Sequence, residues 1–317
     1  MSKKLPPKKL LKAIKSPMPK DILPMAMVST HEAFNLKDWL FELKWDGFRA
    51  LAFCSSDDVK LRSKNNQSFN TKFAAVRSEL ENLRLNAVLD GEIAVLNQKG
   101  AADFNKIMYS INSGMLVYYV FDILWYNGYS LISLPVVERK KILKSVLPSS
   151  NIIRFSDHIA RKGKDLYKLA QQHKLEGIVA KYKNGLYYPG RRTTGWIKIK
   201  TTQVVQGVIA GFILDKDKPG TSFNSLIIAQ KQKNGYKYIG QVGTGVTKNA
   251  FDKIFQAKRA KSIFSPLPTL NRKTAFRSPI KNPKIVWIKP ELKCEVKYLE
   301  LDHFGVMRHP SFKGLIN

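Results

Sequence analysis

Ten residues, Phe41-Glu42-Leu43-Lys44-Trp45-Asp46-Gly47-Phe48-Arg49-Ala50, limit what this chain can be. On both sides the apolar residues run into strand-like sequence, while the centre holds a lysine, a carboxylate, a glycine and an arginine. Such an interrupted strand is either a solvated hairpin in which Lys44 and Asp46 pair, or a nucleophile with its helpers. A lysine amine attacks phosphorus or carbonyl centres only when neutral, and with an ordinary pKa near 10.4 only about one in a thousand is neutral near pH 7.5. The nucleophile reading therefore requires nearby cations or desolvation to lower the Lys44 pKa. Gly47 would permit a tight turn or the close approach of a ligand, and Arg49 offers a planar donor fork for phosphate or ribose oxygens.

Charge narrows the partner. Fifty-four Lys and Arg stand against 24 Asp and Glu, a formal net charge of +30, which in a folded chain points to a polyanion, with nucleic acid ahead of an anionic membrane surface. No amphipathic basic helix supports the membrane alternative. Cys54 and Cys294 are too few for a disulfide scaffold or a four-cysteine zinc site, so a reducing compartment and oxygen ligands for any metal are expected. The longest apolar run, 115–125, is broken by Asp122 and too short to span a bilayer, and the N-terminus lacks an apolar signal core, which places the protein in the cytoplasm.

With 317 residues the chain should form two domains. Residues 1–22 read as a basic arm, rich in lysine and proline, that cannot pack a core. From 23 to 202, strand-like segments (39–54, 59–63, 86–96, 116–125, 152–155, 177–182, 195–200) alternate irregularly with helical spacing (71–83, 102–111, 136–146, 164–173), which predicts an α+β arrangement of sheets around a cleft. From 203 to 317 the texture changes to strands at 204–214, 222–230 and 236–242, one helix at 248–259, a basic loop at 266–283 and a last long strand or pair at 284–298. A small β-barrel of the OB-fold kind fits this better than a sandwich.

Further charged and aromatic residues fall at strand ends or inside apolar strands. Arg62 closes Leu61-Arg62-Ser63; Glu92 lies in Leu89-Asp90-Gly91-Glu92-Ile93; Phe121 precedes Asp122; Glu176 opens Gly177-Ile178-Val179-Ala180-Lys181. In Trp196-Ile197-Lys198-Ile199-Lys200 the period of two sends both lysines one way and both isoleucines the other. Two adjacent cations suit a triphosphate, and together with a bound metal they are expected to lower the Lys44 pKa. Glu92 and Glu176 suit ribose contact and Mg²⁺, which takes one or two carboxylates plus phosphate and water. Phe121 could stack on a base. Each has a plainer alternative, namely a core phenylalanine, a strand glutamate facing water, and a solvated lysine face.

In this order the segments resemble the nucleotidyltransferase superfamily of ATP-dependent DNA ligases and mRNA-capping enzymes, with Lys44-Trp45-Asp46-Gly47 as the first motif. Pro24-Met25, Tyr238-Ile239-Gly240 with Gly243-Thr244-Gly245, and Met307-Arg308-His309-Pro310-Ser311-Phe312-Lys313-Gly314-Leu315 narrow the resemblance to the ligase module of bacterial end-joining DNA ligases. It implies an adenylation domain followed by an OB-fold domain. It also implies three steps: Lys44 takes AMP from ATP, AMP passes to the 5′-phosphate of a nick, and the 3′-hydroxyl displaces it. On this resemblance Glu42 and the Leu43 backbone would meet adenine, Phe121 would stack on it, and Arg49 and Glu92 would hold the ribose. Arg62 would touch the AMP or nick phosphate, Glu176 with Glu92 would serve Mg²⁺ or Mn²⁺, Lys198 and Lys200 the phosphates, and Asp46 the later steps. Arg308 would be carried towards ATP about a hinge near 201–203. The implied partners are nicked double-stranded DNA, a Ku-type end-binding protein, and a polymerase or nuclease on other polypeptides, with the ligase acting as a monomer at the bacterial nucleoid. The chain stops at Gly314-Leu315-Ile316-Asn317, where such modules continue with an arginine and an Asp-Lys pair, so slow self-adenylation is expected. An RNA ligase of the same superfamily and a catalytically weak nucleic-acid-binding protein of this fold are the alternatives.

Overall fold

In the computed structural model the described residues are 13–30, 32–55, 58–98, 100–109, 114–148, 150–214, 223–270, 283–302 and 304–316. The first twelve positions of the expected arm, and most of the expected loop at 266–283, lie outside them. The chain divides into two compact units between Thr201 and Thr202.

The apparent long strand at 39–54 is two strands, Trp39–Leu43 and Phe48–Cys54, and they belong to different sheets. Lys44 to Gly47 carry the chain across. Phe48–Cys54 pairs with Ala87–Leu96, which pairs with Met115–Tyr126, and Val59–Ser63 closes that edge. At the other edge Tyr129–Ser130 pairs with Ile14–Lys15, while Ile153–Phe155 runs parallel to Met115–Tyr126. The second sheet orders Ile159–Ala160, Trp39–Leu43, Gly177–Tyr182, Arg192–Lys200 and Ala26–Thr30, the last pair parallel.

Alternation decides how the sheets pack, because successive side chains point to opposite faces. One face of the first sheet, with Ala50, Ala52, Leu61 and Leu89, is covered by Val76 and Leu80 of the helix Ala74–Asn82 and by Ile142, Leu143 and Val146 of the helix Val136–Val146. Phe41, Ile178, Ala180 and Ile199 of the second sheet bury against Leu166 and Ala170 of the helix Gly163–Gln172. The remaining faces meet each other through Leu51, Phe53, Val88 and Leu124 on one side and Leu40, Met25 and Trp196 on the other. Fully burying each such side chain contributes about 1.5–3 kcal/mol.

Two expectations are corrected here. The stretch 13–22, read as part of an unpacked arm, is laid on the protein: Ile14 and Lys15 pair in the first sheet, Trp125 Nε1 donates to the Ser16 carbonyl at 2.9 Å, and Met18 and Ile22 pack on the inter-sheet core. The apolar residues at 18, 22 and 25 supply what its lysines cannot. Gly47 makes room not for a ligand but for backbone, since a Cβ there would lie 2.1 Å from the Ile93 carbonyl oxygen.

The second unit holds a curled sheet in the order Gly235–Val242, Phe223–Gln232, Gln203–Leu214, Lys293–Tyr298 and Ser311–Ile316, with Ile285–Trp287 also on Gln203–Leu214, and a two-stranded sheet of Glu300–Leu301 and Met307–Arg308. The helix Lys248–Gln256 begins where Thr247 Oγ1 accepts from the Ala250 N–H at 3.3 Å. Its Ala250 and Ile254 enter a core with Phe212, Leu226 and Phe312. The 284–298 segment is two strands, and the C-terminal run beyond it supplies the strand Ser311–Ile316, which the sequence reading left without a secondary structure.

Candidate active site

Where the inner faces of the two sheets leave their apolar core, polar side chains replace apolar ones position by position. On the first sheet Phe53 faces Val88 across the pair, Leu51 faces Asp90, and Arg49 faces Glu92. On the second, Lys181 lies opposite Leu40 and Val179 opposite Glu42, and on the next strand Trp196 and Lys198 continue those rows. The switch from Leu51 to Arg49 and from Leu40 to Glu42 makes the mouth of the inter-sheet space a charged site.

Lys44 stands just past the end of its strand, its N–H donating to the Gly177 carbonyl at 2.9 Å and its ammonium bonded to Glu176. Lys200 reaches the other oxygen of Glu176 at 3.1 Å. Ile197 and Ile199 turn to the helix-covered face, as the period of two predicts. The residues of the chain by themselves act on Lys44 in the other direction. Burial disfavours its charged form, but the carboxylates of Glu176, Glu92 and Asp46 outweigh that and hold its pKa above the ordinary lysine value. For Glu176, burial is likewise overcome, by Lys44 and Lys200, and its pKa lies below the usual range. Without a nucleotide the nucleophile is stored as an ammonium. Of the two expected cations, Lys200 neutralises Glu176 instead of expelling the proton of Lys44, and Lys198 lies within reach of the charges of Lys200 and Lys44.

Arg49 is largely occupied. Its Nε and Nη2 donate to the two oxygens of Asp90 at 3.0 and 2.7 Å, and its Nη1 donates to the Met25 carbonyl at 2.7 Å. Asp90 also accepts from the Tyr187 hydroxyl at 2.7 Å, and that hydroxyl accepts from the Met25 N–H at 3.0 Å. Three of the five guanidinium N–H groups are thus spoken for, leaving two for a ligand. Neighbouring Glu92 is pushed up to about 8 by burial, with Glu176 and Asp46 acting in the same direction against Lys44 and Arg49.

Glu42 is almost sealed, at 2% exposure, and its Oε1 sits 2.8 Å from Lys140 and 2.9 Å from Lys181. Lys140 also donates to the Ser156 carbonyl at 2.8 Å, and Lys181 to the Phe121 carbonyl at 3.2 Å. Burial lowers Lys181 to about 8, with the Lys140 charge helping and Glu42 opposing. Beside this group Arg139 grips both oxygens of Asp122 at 2.8 Å, with neither side chain exposed.

Phe121 is half-buried, its ring 4.6 Å from the Lys181 ammonium and 5.5 Å from the Arg49 guanidinium. Trp45 is stacked flat on Tyr119 at 3.5 Å and donates to Ser156 Oγ at 3.2 Å. Arg62 lies opposite Leu51, on the inner face one strand further out. Lys198 is lowered by partial burial and by the charges of Lys200 and Lys44. The Leu43 side chain packs on the helix-covered face, so only its backbone borders the site. Arg308, in the second unit, lies in the short strand Met307–Arg308, opposite Glu300.

The model of the ATP dependent DNA ligase domain matches residues 22–200, and that of the ATP dependent DNA ligase C-terminal region matches 219–316. The chain belongs to the ATP-dependent DNA ligase family. Its two units are thus an adenylation domain followed by an OB-fold domain, as the segment order implied. It is 29% identical over 312 residues to the multifunctional non-homologous end joining protein LigD of Mycolicibacterium smegmatis, covering 96% of this chain and 40% of that protein. It thus spans less than half the length of that relative. It is also 27% identical to the SPbeta prophage-derived DNA ligase-like protein LigB of Bacillus subtilis, over 92% of this chain and 98% of that one. Among solved structures, mycobacterial DNA ligase D complexed with ATP and MES superposes with a TM-score of 0.57 at 26% identity, covering 93% and 95% of the two chains.

In this ligase the first unit brings Lys44, Asp46, Glu92, Glu176, Lys198 and Lys200 towards one place, and Arg49, Phe121 and Glu42 border it. Four residues that sequence reasoning passed over complete it. Asp90 and Lys181 lie in runs already singled out, and their position on the inner face follows from alternation. Tyr187 and Lys140 gave no signal, since one is a loop aromatic and the other a lysine in a helix where lysines ordinarily face water.

Proposed function

We propose that this ligase seals nicks between a 3′-hydroxyl and a 5′-phosphate in duplex DNA through a lysyl-AMP intermediate. The observation that carries this is Lys44 at the crossover between two sheets, held by Glu176 and flanked by Lys200, Glu92 and Asp46. In the first step the neutral Lys44 amine attacks the α-phosphorus of ATP, forming a P–N bond as the bond to pyrophosphate breaks. Lys198 and Lys200 offer charge to the departing phosphates, and their engagement would draw Lys200 off Glu176. The two free N–H groups of Arg49 suit ribose or phosphate oxygens, and Phe121 presents a ring to the base. In the second step a 5′-phosphate oxygen attacks the same phosphorus and Lys44 leaves as the amine. In the third the 3′-hydroxyl attacks the DNA phosphorus and AMP leaves, with Asp46 and Arg62 assigned to these later steps by their motifs. Arg308 is assigned to the first step by its C-terminal motif.

The donor set fits a hard divalent cation. Glu92 and Glu176 are close enough that the charge of Glu176 acts on Glu92, and a pKa pushed up to about 8 by burial marks Glu92 as a carboxylate short of positive charge. Among the described residues no three His, Cys, Asp or Glu side chains form a complete protein cage, which suits Mg²⁺ or Mn²⁺ held by one or two carboxylates with phosphate and water. Such an ion would stabilise charge developing on the phosphate oxygens.

The names of the end-joining relatives favour a role in non-homologous end joining; the rest of this reading, a cytoplasmic monomer working with a Ku-type end binder and separate end-processing enzymes, rests on the resemblance of the motifs. Among the described residues no helix is long and apolar enough to cross a membrane. Incubating the protein with α-labelled ATP and Mg²⁺ should leave label on the denatured chain, discharged by a nicked duplex and absent from Lys44→Ala. A protein that neither labels nor seals a pre-adenylated nick would overturn the reading.

A further inference from the structure

The helix Val136–Val146 places two consecutive cations, Arg139 and Lys140, in the interior, where a surface helix normally presents lysine to water. Arg139 is matched one to one by Asp122. Lys140 is not matched in that way, because the carboxylate it meets, Glu42, already has Lys181 at 2.9 Å. Neutralising Glu42 needs one ammonium, and burying a second has a desolvation cost. Its effect is geometric. Both ammonium groups converge on Oε1, Lys140 is itself tied to the Ser156 carbonyl, and Lys181 is tied to the Phe121 carbonyl and lies 4.2 Å from the Trp196 ring. Oε1 is thus held at ion-pair distance by both ammonium groups, although neither contact has hydrogen-bond geometry. Among the described residues Oε2 takes only a long bond from Ser156 Oγ at 3.4 Å, so its lone pairs are in reserve.

Glu42 precedes Lys44 by two residues of strand, roughly 6–7 Å on the same face. That is the order of separation between the α-phosphorus and the base of a bound nucleotide, and Phe121, the ring proposed to stack on that base, touches Lys181. We propose that Lys140 is a positioning residue for base selection: with Lys181 it holds the Glu42 carboxylate as a fixed acceptor that favours a purine with an amino group at position 6 over one with a carbonyl. An acceptor with no proton to donate bonds an amino group and repels a carbonyl oxygen. This rests on the adenylation chemistry proposed above.

The experiment is lysyl-nucleotide formation by the full chain with α-labelled ATP and with inosine triphosphate, which carries a carbonyl at position 6. Removing Lys140 leaves Glu42 and Lys181 as a balanced pair, so Lys140→Met should fold. It is expected to raise KM for ATP and lower the preference for ATP over inosine triphosphate, each by roughly tenfold, the order a single polar contact supplies in discrimination. The rate at saturating ATP should change far less, and Lys140→Arg should restore the preference. Lys140→Met that melts like the parent and keeps both KM and preference overturns the proposal. Should Lys140→Met melt too low for assay, Glu42→Gln carries the test: its amide can donate to a carbonyl, the preference should fall, and an unchanged preference overturns the proposal. A parent chain that takes label from neither nucleotide refutes the adenylation reading itself, whereas a labelling parent with an indifferent Lys140→Met refutes only the role of Lys140.

Discussion

The Lys44 ammonium donates to the Glu176 carboxylate, and this bond keeps the nucleophile protonated until something else claims Glu176. Burial works against the charge on Lys44, but Glu176 and Glu92 more than offset it. Glu176→Gln should therefore lower the Lys44 pKa. In the protein without nucleotide, cyanate modification of Lys44 followed by mass spectrometry at pH 8 should run several-fold faster in the variant. Equal rates would mean that the ion pair does not govern the proton.

Glu92 should leave its mark on stability. Its pKa stands at about 8 in the folded protein because it is buried, against about 4.3 in an unfolded chain. The folded state then binds more protons between these values, so the contribution of Glu92 is fully present below about pH 4 and is lost as pH rises through about 8. Glu92→Gln should melt closer to the parent at pH 5 and several degrees above it at pH 8, read by thermal melts across that window. Parallel melting curves at all pH values would contradict this sign.

Asp122 and Arg139 are both fully buried and bonded through two parallel contacts. Asp122→Ala would strand a guanidinium that cannot lose its proton, at a cost of about 3–5 kcal/mol. Urea unfolding should report that loss, and a change below about 1 kcal/mol, the range of an exposed pair, would mean that water reaches Arg139.

Gly47→Ala should damage the first sheet as well as the chemistry. The added methyl would meet the Ile93 carbonyl oxygen at 2.1 Å, so strand must move against strand. Overpacking of this kind costs about 1–3 kcal/mol. Because Lys44 is three residues away, label uptake from ATP should fall more than the melting temperature suggests. Unimpaired labelling would show that the crossover tolerates the shift.

Much of the site was legible because strands alternate. The shared face of Lys198 and Lys200, and the burial of Ile197 and Ile199 against a helix, need only a period of two. The carboxylates inside apolar strands, Glu92 and Glu176, were conspicuous by contrast with their neighbours. What alternation could not tell was which sheet a strand joins, so 39–54 read as one strand although pairing separates it at Lys44. Nor could it show that Arg49 is mostly used by Asp90 or that Glu42 faces Lys140, since both depend on partners 41 and 98 positions away. The raised Lys44 pKa was not legible either, because it depends on three carboxylates that converge on the lysine from separate segments.

The passage of the chain from one sheet to the other at Lys44 to Gly47 also governs when the protein becomes reactive during its own folding. Glu92 arrives with the first sheet, Glu176 and Lys200 with the second, and the lysine belongs wholly to neither. A chain with only one sheet in place would present Lys44 with part of its carboxylate surroundings and part of its phosphate site. On the proposed reading, the site is complete only when both sheets are in place and joined through this crossover.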